Sequence, residues 1–204
     1  EALRAGMQVD FLTSIHGQSP FSLQIDFYHS PDWHKHTAQI QRLSAFADQH
    51  RDHYQEHRYQ HFDEYAAQLQ TLITKQKPDI IVLAAAVSDY LVANYSDQKV
   101  RSNHALDIQL KQAPKLIHSV RQWSPKSVIA GFKLLANVND TELINAAKNS
   151  IQLNELDLCI ANDLSTLKRG SHEIIIVDRE GNAQHVKHDL AAAVIASCTK
   201  RMNK

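Results

Sequence analysis

Three apolar runs in this chain end in a polar residue able to do chemistry. Ile80 to Val87 is followed by Ser88-Asp89, Val128 to Phe132 by Lys133, and Leu156 to Ala161 by Asn162-Asp163. Between the first two lies Lys111-Gln112-Ala113-Pro114, placed as the start of a helix with Pro114 at its first position, where the missing N–H costs nothing. Free amides at a helix start favour phosphate. The polar stretch after Asp89 carries Lys99 and Arg101, so Lys99 is available as a cation on a loop. Carboxylate, helix start and loop lysine together describe a nucleoside triphosphate site, with Mg²⁺ bridging the phosphates. Taken singly, each has a plainer role: Asp89 and Asp163 as helix caps, Lys99 as a solvated charge.

These residues need a frame that delivers strand ends to one rim. Pro78-Asp79 reads as a turn, and the eight apolar residues from Ile80 to Val87 are too few to span a membrane. A short unbroken run suits a strand buried on both faces in a parallel sheet, where ligands gather beyond the carboxyl ends. Ala84, Ala85 and Ala86 then let a ligand approach the backbone, or simply admit a close-packed helix. Around this strand the spacing predicts helices over Phe62–Thr74, Lys115–Trp123, Thr141–Leu153 (capped by Asn139-Asp140) and Leu190–Thr199 (capped by Asp189). It predicts strands over Val9–Thr13, Leu23–Tyr28, Leu106–Leu110, Val128–Phe132 and Leu156–Ala161, and a hairpin turning at Arg179–Asn182. The fold class is α/β, a three-layer Rossmann-like fold with a mostly parallel sheet and a C-terminal β-hairpin, in one domain over 1–204.

Two regions fit less simply. Glu1 to Ala5 reads as the tail of a helix with Gly6 as its C-cap, so a first strand and a glycine-rich loop are expected ahead of residue 1. His34 to Tyr59 is polar and rich in His and Gln, and reads as a surface helix or helical hairpin inserted at about 30–60. His50, His53, His57 and His61 then share a helical face at spacings of three and four. Without a completing carboxylate or Cys this is a solvated face and not a metal site.

The 22 basic and 22 acidic residues cancel, leaving no global field to draw nucleic acid or an anionic membrane. Cys159 and Cys198 have no metal-like spacing, which suits a reduced, cytoplasmic protein.

The words AAAVSDY, QKVRS, LKQAPKLI, GFKLL and IANDLS occur in this order over Gln60 to the C-terminus. Together they resemble the phosphopantothenate–cysteine ligase family (phosphopantothenoylcysteine synthetase), in its stand-alone form. The opening EALRAGMQVDFLTS is weakly similar to the family's first helix end and second strand. The resemblance implies a ligase of coenzyme A biosynthesis that joins 4′-phosphopantothenate to L-cysteine through an acyl-nucleotide, using CTP or ATP with Mg²⁺. It implies that Lys99 stabilises the activated intermediate and that Asp89 contacts the nucleotide. Lys111, Gln112, Ala113 and Pro114 would hold the nucleotide through their backbone, with Ala85 and Ala86 offering further backbone contacts. Phe132 would line the base pocket, with Ser88 and Asn162 on the rim. A homodimer follows by the same resemblance, through edge or helix contacts near the terminal hairpin.

The chain departs from the family at two places. An asparagine that contacts the acyl intermediate belongs with the part expected before Glu1. Members that use CTP carry two lysines where this chain has Ser150 and Asn154, which leaves ATP open. Two other function classes compete: a nucleotide-binding protein that senses without catalysis, and a dinucleotide-dependent oxidoreductase, for which the visible chain lacks a glycine fingerprint.

Overall fold

The structure is a computed structural model and describes residues 1–22, 32–95, 106–168 and 173–203. The chain opens on one helical turn. Met7 N–H donates to the Ala2 carbonyl at 3.1 Å and Gly6 N–H to Leu3 at 3.0 Å, with Gly6 at φ 75°. This is the double-bonded helix end that glycine makes possible, as the sequence predicts. Strand β1 (Val9–Ser14) follows, then helix α1 (Trp33–Gln49), capped by Asp32. Strand β2 (Tyr54–Tyr59) pairs parallel with β1.

Helix α2 (Phe62–Gln76) buries Tyr65, Leu69 and Ile73 at fourfold spacing and leads into β3 (Ile80–Leu83). A two-stranded antiparallel ribbon, β4 (Tyr90–Val92) and β5 (Leu110–Gln112), precedes the short helix α3 (Ile117–Trp123). Next come β6 (Val128–Leu135), α4 (Asp140–Asn154), β7 (Leu158–Asp163) and the short α5 (Leu164–Lys168). The hairpin β8 (Ile174–Asp178) and β9 (Ala183–Val186) and helix α6 (Leu190–Met202) close the chain. Asn139 and Glu142 form a reciprocal capping box at α4, which fixes where that helix starts.

The main sheet has the order β3-β6-β7-β8-β9, parallel from β3 through β7 and antiparallel across β8 and β9. Strand alternation sorts its residues to two faces. Cys159 and Ala161 join a core with Leu143, Ala147 and Ile151 of α4, Val120 of α3 and Leu69 of α2. Leu158 and Ile160 join Val194 and Cys198 of α6 on the opposite face. The result is three layers, with helices on both sides of a mixed, mainly parallel sheet.

Several sequence expectations are corrected. The stretch 34–59 is not wholly helical, because β2 occupies its last six residues. The polar pattern of YQEHRY hid that strand, which has one paired edge and bonds by its backbone to β1. The four histidines share no helix face: His50 ends α1, His53 lies in a single 3₁₀ turn, His57 is in β2 and His61 precedes α2. Among the described residues no group of three or more His, Cys, Asp or Glu comes together to hold a metal.

The buried run at Ile80 is a strand only to Leu83. It lies at the edge of its sheet with Val82 41% exposed, and Ala84 to Ala86 are exposed loop residues. Residues 106–109 are not strand, and β5 starts at Leu110. Helix α3 starts at Ile117, so Pro114 lies in the approach to the helix and not at its first position. Asp189 precedes α6 at φ 50° without a side-chain capping bond. The expected strand Leu23–Tyr28 lies outside the described residues.

Candidate functional site

Gly131 is where the site begins. A Cβ at this position would meet Leu156 Cδ1 at 2.7 Å and Ile117 Cδ1 at 3.6 Å. Glycine here leaves room for the buried Leu156 side chain against β6, and the next residue, Phe132, lies beside the loop leaving β3. Gly131 pairs with Leu83, the last residue of β3, so Phe132 stands one residue beyond the end of that strand. Phe132 is 43% exposed although it belongs to a central strand. A large apolar side chain left open at a strand's carboxyl end is a ready surface for a flat ligand.

The loop after β3 is tied down by short-range bonds. Ser88 Oγ donates to the Tyr90 carbonyl at 2.6 Å and accepts from Tyr90 N–H at 3.3 Å. Asp89 then enters the ribbon. Its carbonyl accepts from Ala113 N–H at 2.9 Å, and the ladder continues with Tyr90 opposite Gln112 and Leu91 opposite Lys111. The ribbon thus brings Lys111–Pro114 alongside Asp89, although some twenty residues separate them in sequence. Ala113 is buried at this junction, while Asp89 is exposed.

A cavity of about 180 Å³ lies at this point, lined by Ala85, Ser88, Asp89, Pro114, Lys115 and Phe132 above Tyr65, Leu69 and Ile117. Lys115 forms an ion pair with Asp89. The hydrogen bond and charge of Lys115, with a weaker contribution from Lys133, hold the Asp89 carboxyl below its usual range. Burial pushes the Tyr65 phenol up to about 12, and the neighbouring Tyr59 adds to the shift, so the cavity floor stays neutral.

Of the residues singled out from sequence, Ala85, Ser88, Asp89, Pro114 and Phe132 come together at this cavity. Ala86 lies beside it, on a larger groove of about 550 Å³ between β1 and β3 that also takes in Ala85. Lys111, Gln112 and Ala113 approach through their backbone, with their side chains outside the lining. Asn162 pairs with Leu134 farther along the rim and does not line the cavity. Lys99 and Arg101 lie outside the described residues. Asp163 has the plainer role: its carboxylate accepts from Asn137 N–H at 2.9 Å and Ser165 N–H at 3.1 Å, tying the loop after β6 to the first turn of α5.

Sequence reasoning missed Lys115. Its signal was there, a cation directly after the Pro114 that begins the turn into α3, but helix placement absorbed it as a first-turn residue.

The sequence signature of the DNA/pantothenate metabolism flavoprotein C-terminal domain matches residues 44–202. The chain is 34% identical over 118 residues to the coenzyme A biosynthesis bifunctional protein CoaBC of Thermococcus kodakarensis, covering 58% of this chain and 29% of that protein. It is 40% identical over 87 residues to the protein of the same name from Methanocaldococcus jannaschii, covering 43% and 21%. The chain therefore spans less than a third of the length of these curated relatives. Among solved structures it superposes on a DNA/pantothenate metabolism flavoprotein from Streptococcus pneumoniae with a TM-score of 0.72 at 21% identity, covering 98% of this chain and 83% of that one. It superposes on a Cab2 H337A mutant in complex with phosphopantothenate-cysteine with a TM-score of 0.79 at 18% identity, covering 99% and 74%. At these identities the superpositions establish the fold.

Proposed function

Because this chain belongs to the DNA/pantothenate metabolism flavoprotein C-terminal domain family, we propose that it joins 4′-phosphopantothenate to L-cysteine at the expense of a nucleoside triphosphate. The observation that carries the reading is the meeting of Asp89, Pro114 and Phe132 on one cavity beyond β3 and β6. A dinucleotide-dependent oxidoreductase gives no reason for these residues to converge there, whereas a sensor that kept the nucleotide site is separated by turnover. The chemistry proceeds in two displacements. A carboxylate oxygen of phosphopantothenate attacks the α-phosphorus, and the bond to the departing pyrophosphate breaks. The cysteine amine then attacks the acyl carbon, the acyl–oxygen bond to the nucleotide breaks, and the amine loses a proton as the amide forms.

In this reading the Phe132 ring supports the base and Asp89 contacts the nucleotide. The backbone of Lys111–Pro114, with Ala85 and Ala86, lies along it. Ser88 shapes the Asp89 turn. Lys99 is the loop cation assigned to the activated intermediate, where positive charge stabilises what develops. The cavity offers one carboxylate, Asp89, already paired with Lys115. That donor set fits Mg²⁺ held chiefly by phosphate oxygens better than a resident metal site. Bound there, the ion would neutralise phosphate charge.

CTP and ATP remain the two co-substrates of the proposal. Asn154 is buried and bonds to Ser150, so neither position presents a cation. This favours ATP over the nucleotide used by members with two lysines there. The proposal includes a cytoplasmic setting, supported by two buried free thiols. It also includes a homodimer. Tyr90, Val92 and Leu110 are exposed on the β4–β5 ribbon, and a lone two-stranded ribbon is marginal in water without a partner. That surface is a second candidate contact beside the terminal hairpin that the resemblance implies.

The test is turnover of phosphopantothenate and cysteine with CTP and ATP in parallel, following pyrophosphate. Amide product with either nucleotide, with pyrophosphate formed before cysteine is added, is the expected result. Tight nucleotide binding without turnover would sink the ligase reading in favour of a sensor.

A further inference from the structure

We propose that Lys115 is a phosphate-contacting cation of this site, which exchanges the Asp89 carboxylate for the polyphosphate chain when nucleotide binds; this rests on the nucleotide reading above. Helix α3 has only seven residues and no side-chain cap at its start. Its dipole is correspondingly weak, so charge at the phosphates must come from side chains. Lys115 is placed to supply it.

The backbone on either side of Lys115 is fixed. Ala113 is buried, Pro114 restricts its own φ, and Leu116 and Ile117 pack against the core beneath. The side chain itself lines the cavity and is 45% exposed, so its four-carbon stem can swing from a fixed root. An ammonium has three donors, and the Asp89 oxygen occupies one.

Giving up the Asp89 contact is cheap, since Asp89 is 65% exposed and pairs of this kind contribute little in water. Nor is the carboxylate abandoned, because Lys133 already acts on it from β6. Among the described residues, Asp89 stands against Lys115 and the nearby Lys133, which leaves surplus positive charge beside the cavity. A triphosphate satisfies that surplus, whereas a neutral ligand would not. The exchange also frees an Asp89 oxygen to accept from the nucleotide.

A double-mutant cycle separates this role from a purely structural one. The proteins are wild type, Lys115→Ala, Asp89→Asn and the double variant, with Lys115→Arg as the charge-retaining control. Calorimetric titration with CTP, ATP and inorganic tripolyphosphate is run at low and high salt, with circular dichroism confirming the fold. Lys115→Ala should weaken nucleotide and tripolyphosphate binding by about tenfold, in the Asp89→Asn background as well as in wild type, as expected for loss of one charge-assisted contact. Lys115→Arg should bind close to wild type, and the salt dependence of binding should fall in Lys115→Ala. If Lys115→Ala has no effect in the Asp89→Asn background, Lys115 acts only by holding Asp89. The inference then fails while the nucleotide reading stands. If wild type binds neither CTP nor ATP, the nucleotide reading fails and takes this one with it.

Discussion

The amide of Ala113 donates to the carbonyl of Asp89 at 2.9 Å, and this bond joins the two segments of the candidate site. It makes the site's geometry a property of the β4–β5 ribbon as much as of the main sheet. Ala113→Pro removes the donor and leaves the Asp89 carbonyl without it. We expect a stability loss of about 1–3 kcal/mol and a larger loss of nucleotide affinity, read by thermal melting and calorimetry. Unchanged affinity would show that the ribbon does not position Asp89.

Gly131→Ala should disturb both fold and site. The added methyl meets Leu156, a fully buried side chain, at 2.7 Å. Overpacking of this kind costs about 1–3 kcal/mol, and any shift of β6 carries Phe132 with it. Denaturant midpoints measure the first effect and nucleotide binding the second.

At the opposite end of the sheet, Asp157 accepts from Ile129 N–H at 2.8 Å and pairs with Arg121 at 2.6 Å, with both side chains largely buried. Arg121 also donates to the carbonyls of Glu155 and Ser127. Asp157→Ala leaves the guanidinium and an amide short of a partner. Destabilisation of about 3 kcal/mol is expected, with little change in nucleotide affinity in the folded fraction, because this cluster lies away from the cavity.

The pH response of Asp89 has a definite sign. Its folded value is depressed, chiefly by the hydrogen bond and charge of Lys115. The ion pair is therefore complete above the ordinary aspartate range and is lost only as pH falls through the lowered value. Nucleotide binding that depends on the Asp89 carboxylate should therefore persist through the ordinary aspartate range and fall only below it. Lys115→Ala should move the acid limb of the binding curve upward, and coincident limbs would argue against the coupling.

Cys159 and Cys198 are both buried, and burial pushes each thiol up to about 11. Ellman's reagent should react with neither in the native protein at neutral pH and with both after denaturation. Fast labelling in the native state would show that the core around them opens readily.

Much of this was legible in the sequence because local signals agreed with the fold. Helix α4 announces itself by Asn139 and Glu142 at its start and by Leu143, Ala147 and Ile151 along one face. The terminal hairpin is set by Asp178, whose carboxylate accepts from Asn182 N–H at 2.8 Å across the turn. Strand β2 was hidden because its residues are polar and its stability comes from backbone pairing to β1, which no local pattern reports. The exposure of Ala84–Ala86 was hidden for a related reason: apolar composition cannot distinguish a strand's buried body from the loop beyond its end. Asp89, Pro114 and Phe132 were identifiable by their words, whereas Lys115 drew attention only once the ribbon folded it onto Asp89.

Strands β1 and β3 each keep one edge that no described backbone group meets, and these edges flank the groove floored by Tyr65, Leu69 and Ile73 of α2. The N–H and C=O groups along both must bond to water or to another chain segment. An extended segment pairing to either edge would add a strand to that sheet. Left open, the same edges are templates for mispairing between molecules, so solubility at high concentration depends on what covers this side of α2.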